Sequence, residues 1–226
     1  MWRMTPSTGS SQSRVISGAP AIAHDARAVL GQTMGLVAVT LGFSALGAAL
    51  GKDLSGGAGL LAFAVAFVCL LGLQAAVARS EQLAIGLLFV VGLALGVAIG
   101  PMVNSYLDAD PAIVYQAAGA TGLFVGGLGA YGYATSRDVS SWGRYLLFAL
   151  LGLIGFGLVA IFVTIPGENV IYALLGLAVF GGLTIFDFNR LRRSGMESSV
   201  PIAAGIFLDV INVFQFFLML FGGGRR

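Results

Sequence analysis

A chain of 226 residues that is 58% hydrophobic and only 10% charged carries too few charges for a soluble domain, where about a quarter is usual. Its net charge of +2 gives no footprint for nucleic acid; its one cysteine, Cys69, excludes an intrachain disulfide or a cysteine-built metal centre, and its one histidine, His24, a histidine cluster. Apolar runs long enough to cross a bilayer recur from Val29 to Phe221, so the fold class is an all-α integral membrane protein with seven transmembrane helices.

Residues 1–27, "MWRMTPSTGSSQSRVISGAPAIAHDAR", are polar and rich in Ser, Gly and Pro, and lack the apolar core of a signal peptide. They read as a flexible cytoplasmic N-terminal tail. The transmembrane domain takes residues 28–222. Its first span is Val29–Gly51, closed by "GKDLSGG", and its second Ala58–Ala78, closed by "RSEQ". The third, Leu83–Tyr106, contains Gly100-Pro101, which predicts a kink whose freed backbone groups Asn104 could meet. Asp108 and Asp110 form an acidic loop before the fourth, Ala112–Thr135. The fifth is Gly143–Ile165, stopped by "PGEN"; the sixth is Val170–Asn189, followed by the basic stop-transfer cluster of Arg190, Arg192 and Arg193. The seventh, Pro201–Phe221, has proline in its first turn, where the missing N–H costs little. Residues 223–226 form a short C-terminal tail. The 34 glycines predict close helix packing through small residues.

Basic residues orient the bundle. With the N-terminus in the cytoplasm, the inside holds Arg3, Arg14, Arg27, Arg79, Arg137, Arg144, Arg190, Arg192 and Arg193, and the outside Lys52, Arg225 and Arg226. Nine against three favours an inside N-terminus and an outside C-terminus.

Nine of the ten acids fall in loops, in the tail or at span ends, counting Asp187 as an end residue. Asp209, inside "GIFLDVINVFQFFLMLF", does not. A carboxylate within a bilayer is costly, and a functional role is the default hypothesis. The sixth and seventh spans form a hairpin. If its turn is centred on Ser198, midway between Asp187 and Asp209, the two carboxylates lie at the same depth on opposite arms. Two neighbouring carboxylates share a proton over some range of pH. Such a pair can serve as a proton-sensitive latch, as an oxygen-rich site for Ca²⁺ or in a proton-coupled carrier. The plainer alternatives are a surface pair between Asp187 and Arg190, three residues apart on one helix face, and a protonated Asp209 bonded to a neighbouring helix. Asn212 and Gln215 follow Asp209 as a slanting polar stripe, which points to a central seventh helix with polar residues facing inward. No Walker loop, Ser/His/Asp set or HExxH motif occurs, so the expectation is a protein that is not an enzyme and holds no cofactor beyond a transported Ca²⁺.

The stretch "FLDVINVFQFFLMLFG" resembles the last span of the Bax inhibitor-1 family, also called transmembrane Bax-inhibitor-motif proteins. "FGGLTIFDFNRL" resembles that family's other Asp-bearing helix, and "GPMVNSYL" and "YATSRDVSSWGRYL" its third span and fourth-to-fifth loop in the bacterial branch. The resemblance runs from about His24 to Gly222. It implies a seventh helix surrounded by the other six, a place in the bacterial inner membrane, and a pH-sensitive calcium leak whose proton sensor falls on Asp187 and Asp209. The family's latch arginine is matched nearest by Arg79, with Arg190 as its competitor. One bacterial subgroup that is similar in "GPMVNSYL" restrains a membrane-bound AAA protease, which makes a protease the alternative partner to Ca²⁺ and protons. The chain departs from the commoner pattern after its first Asp, with Phe188-Asn189 in place of a polar pair.

Overall fold

The computed structural model describes residues 18–54, 56–160, 162 and 167–223. Seven long helices follow one another: α1 (Gly18–Gly51), α2 (Gly56–Val77), α3 (Glu81–Ala109), α4 (Pro111–Ala134), α5 (Trp142–Ala160), α6 (Glu168–Arg193) and α7 (Ser199–Gly222), with a single 3₁₀ turn at Met196–Ser198. All seven are long and apolar enough to cross a membrane. The connections at Arg79, Asp138 and Met196 lie at one end of the bundle, and those at Lys52 and Asp110 at the other.

Three boundaries differ by more than three residues from the sequence reading, one of them the end of α6, at Arg193 instead of Asn189. Helix α1 begins at Gly18, inside the stretch read as tail. Pro20 sits in its first turn, where it is tolerated, and no further proline interrupts the helix to Gly51. Residues 1–17 lie outside the described residues. Helix α5 ends at Ala160, short of Ile165, although most of the intervening residues lie outside those described.

Helices α1 and α3 run parallel and pack through glycine. In "GLALGVAIG", Gly92, Gly96 and Gly100 recur at one-turn spacing and meet Thr40, Ser44 and Ala48 on α1, while Gly47 and Gly51 meet the α3 backbone at Leu93 and Val97. A Cβ at Gly96 would run into the Ser44 carbonyl. The small residues let two backbones approach closely, the dominant way apolar helices associate in lipid. At the start of α3, Gln32 donates to Glu81 at 2.9 Å. Helices α4 and α6 use the same device, with Gly132 against the Ile185 backbone and Gly129 under the Phe188 ring. The hydroxyl of Ser105 donates to the Met102 carbonyl, while Asn104, expected to meet the groups freed by Pro101, donates instead to Asp108 at 3.0 Å.

Helices α3 and α7 are the most deeply buried spans. Helix α7 packs against α1, α2, α3, α4 and α6, and α5 packs on α6. Phe207, Ile202, Ile206, Val213 and Leu218 of α7 are all but fully enclosed.

Candidate functional site

The site lies on the α6–α7 hairpin. Helix α6 continues to Arg193, so Asp187 is interior to it and no longer an end residue. The turn between Arg193 and Ser199 is centred on Met196, two residues before Ser198. Counting out from Met196 brings Asp187 level with residue 205 and Thr184 level with residues 208–209. The contacts agree. The Asp187 carboxylate fills the space that a Cβ on Gly205 would need, and the Thr184 hydroxyl is hydrogen-bonded to Asp209. The equal depth expected of the two acids is therefore corrected by one helical turn, about 5 Å along the axis. They remain near enough for the charge of one to act on the other.

Asp209 is 3% exposed, and its Oδ2 has no hydrogen-bond partner among the described residues. Thr184 is fully buried and also donates to the Phe180 carbonyl one turn back, at 2.8 Å. A hydroxyl has one proton and two lone pairs. That one proton serves either the Phe180 carbonyl or the Asp209 carboxylate. A Thr184 that turns its proton to Asp209 gives up the Phe180 carbonyl. The sequence reading passed over Thr184; its signal was a hydroxyl three residues before an intramembrane acid.

The basic candidates separate. Arg190 acts on Asp187 through its charge, as a cation three residues along the same helix does. Arg79 is exposed in the α2–α3 turn, and its side chain makes no hydrogen bond or ion pair among the described residues. Asn212 is half-buried and donates to the Leu208 carbonyl of its own helix at 2.8 Å. Gln215 is half-buried one turn further on. No group of three or more His, Cys, Asp or Glu gathers among the described residues. Two carboxylates and a hydroxyl fall short of the roughly 6–8 oxygens a resident Ca²⁺ takes.

Beyond the acids, the end of α6 grips the α4–α5 connection. Asn189, 1% exposed, donates to the carbonyls of Gly132 at 3.1 Å and Arg137 at 3.2 Å. Arg192 donates to Thr135 O at 2.6 Å, and Arg193 to Arg137 O and to the Asp138 carboxylate, each at 2.7 Å. These groups satisfy carbonyls at the end of α4 and in the connection that follows it. Asp138 also accepts from the Ser140 N–H at 2.8 Å; hydrogen bonding from Ser140, then the charge of Arg193, holds its carboxyl below the usual range. Asn189, two positions from Asp187, and Arg192 and Arg193 of the cluster read as stop-transfer thus clamp a loop.

A family model described as "Inhibitor of apoptosis-promoting Bax1" matches residues 26–226. Inner membrane protein YbhL of Escherichia coli K12 is 30% identical over 130 residues, covering 50% of this chain and 56% of that protein. A Caulobacter vibrioides protein is 28% identical over 142 residues, 58% of this chain and 56% of its own length. A Pseudomonas aeruginosa protein is 25% identical over 214 residues, 92% of this chain and 94% of its own. The chain thus spans little more than half of the first two and nearly all of the third. With nearly its full length under one family model, the chain belongs to the Bax inhibitor-1 family.

Proposed function

We propose that the chain is a passive, pH-sensitive cation leak, with Ca²⁺ as cargo, gated by Asp187 and Asp209. The observation that carries this reading is Asp209 itself: an enclosed intramembrane acid with one oxygen unmet, bonded to Thr184 and within electrostatic reach of a second acid. Ionised groups in such a place are costly and mark function by default. Two acids this close hold one proton between them over a range of pH, so gaining or losing it changes the charge sealed into the α6–α7 contact. That change biases the hairpin between two arrangements. Arg190 offsets part of the charge on Asp187. No covalent chemistry and no resident cofactor enter this reading, and the chain is not an enzyme. Its place is the bacterial inner membrane, which the E. coli relative's name gives for that protein. The N-terminus is cytoplasmic and the C-terminus outside, the orientation that puts nine of twelve basic residues inside.

Calcium entry into liposomes carrying the purified protein, followed across pH, tests the reading. The wild type is expected to pass Ca²⁺ at a rate that depends on pH, and Asp209→Asn to lose that dependence. Flux and pH profile both unaltered by the substitution would remove the sensor. Absence of flux, with an effect on a membrane-bound AAA protease, would select the modulator reading; saturable exchange of a solute would select a proton-coupled carrier.

A further inference from the structure

Between α1 and α4, toward the end of the bundle that carries Lys52 and Asp110, lies a crevice of about 880 Å³. That volume falls within the ~300–1,000 Å³ of ordinary ligand sites. Helices α1 and α4 form its walls and make no packed interface with each other; α3 and α7 close it behind. The wall residues Ala45 and Ala49 of α1 and Ala118 and Gly122 of α4 are small and exposed, so the crevice opens sideways, at membrane depth. Val210, next in sequence to Asp209, lies in its lining. An apolar cleft offers water no partners, and the medium at its open side is acyl chain.

The rim adds a headgroup preference. Lys52 lies in the lining, and its side chain makes no hydrogen bond or ion pair among the described residues. Gly100 packs on the backbone of Gly51 and Lys52, and one turn beyond it Asn104, also in the lining, donates to Asp108 at 3.0 Å. The crevice end thus carries an ammonium in its lining, at Lys52, and a carboxylate bonded to a lining residue, at Asp108. A wholly anionic headgroup would meet Asp53, Asp108 and Asp110 around the same connections. A zwitterionic headgroup meets complementary charge on both sides, with its phosphate toward Lys52 and its ammonium toward Asp108.

We propose that this crevice binds a single phospholipid of the phosphatidylethanolamine class, acyl chain between α1 and α4 and headgroup between Lys52 and Asp108. The proposal does not depend on the cation-leak reading. The bound chain lies beside the α7 segment that carries Asp209, so lipid occupancy and the acid pair share one helix.

The test is native mass spectrometry of the full chain released from nanodiscs of equal phosphatidylethanolamine and phosphatidylglycerol. One retained phosphatidylethanolamine per chain is expected, preferred roughly tenfold over phosphatidylglycerol, equivalent to about 1.4 kcal/mol. Gly122 has open space where a Cβ would go, so Gly122→Phe fills the crevice without a backbone clash and is expected to abolish retention at unchanged helix content. Ala45→Phe fills it from the opposite wall and serves if the first variant does not fold. Lys52→Glu is expected to keep the chain folded and erase the preference. A wild type that retains no lipid, retention in a folded crevice-filled variant equal to the wild type's, or retained lipid that mirrors the bulk mixture would overturn the proposal.

Discussion

Asp187 stands against Gly205, one helical turn short of Asp209, and its carboxylate takes the volume a side chain at 205 would occupy. A glycine on α7 thus makes room for an acid on α6. Gly205→Ala is expected to displace the Asp187 side chain and destabilise the protein by about 1–3 kcal/mol, the range for overpacking. In an Asp187→Ser background the same substitution should cost far less. The cycle formed by the two changes measures the contact, with an expected coupling of about 0.5–3 kcal/mol. A coupling of zero would show that α6 and α7 do not meet at this level.

Thr184 offers a second handle on the acid. Thr184→Val removes the hydroxyl with little change in shape and leaves both Asp209 oxygens without a partner. The expected result is a shift in the pH midpoint of Ca²⁺ flux, with a stability loss of about 1–3 kcal/mol for the orphaned carboxyl. Flux measured across pH beside a thermal melt separates the two effects. An unmoved midpoint would take Thr184 out of the sensor.

Asn189 tests the clamp. Asn189→Ala removes two donors from enclosed carbonyls, and a loss of about 1–3 kcal/mol is expected. Asn189→Asp should be worse than Ala at neutral pH, because an ionised carboxylate has no proton to donate and faces two carbonyl oxygens. Hydrogen exchange at residues 135–141 should rise in both variants.

The Asp138–Arg193 pair is exposed, and its contribution to stability is expected to be small. Its pH sense is fixed nonetheless. The folded-state acidity of Asp138 is lowered below its ordinary value, so its contribution is present above the unfolded value and lost as pH falls through the folded one. Protection of the loop amides, taken relative to their intrinsic exchange rate at each pH, should therefore be flat across neutral and mildly acid conditions and fall only in strong acid. A change near pH 6 would have to come from another group.

Glycines along α1 and α3 differ in a way the sequence does not display. Gly96→Ala pushes a Cβ into the Ser44 carbonyl, backbone that cannot swing aside, and is expected to cost about 1–3 kcal/mol. Gly42→Ala meets open space and should stabilise the helix by up to about 1 kcal/mol. Unfolding in detergent should rank the two accordingly.

The helices were legible because burial in lipid demands long apolar runs, and composition records that demand directly. The join between α6 and α7 was legible as a hairpin, and both acids were found in it. Their register was not, because it depends on where the turn sits, and a shift from Ser198 to Met196 moves two arms in opposite directions along each other. Arg79 entered as the nearest match to the latch arginine that the family resemblance implies; the fold leaves it exposed, while Arg190 follows Asp187 on the same helix. Asn189 and Arg192 bond to main-chain carbonyls, and a carbonyl has no residue identity to read. Charge alone made α6 look like a simple stop-transfer end.

The parallel pairing of α1 with α3 also governs how the protein is made. The residues that touch, such as Thr40 with Gly92, are separated by a whole intervening span. A chain entering the membrane in order must lodge α1 before its closest neighbour exists. Thr40 is buried in the finished bundle, yet its hydroxyl donates to the Leu36 carbonyl one turn back at 2.7 Å, within its own helix. Thr33, also buried, has no such bond among the described residues. The Thr40 hydroxyl is therefore satisfied before the later spans arrive, while that of Thr33 finds no partner among the described residues even once they cover it.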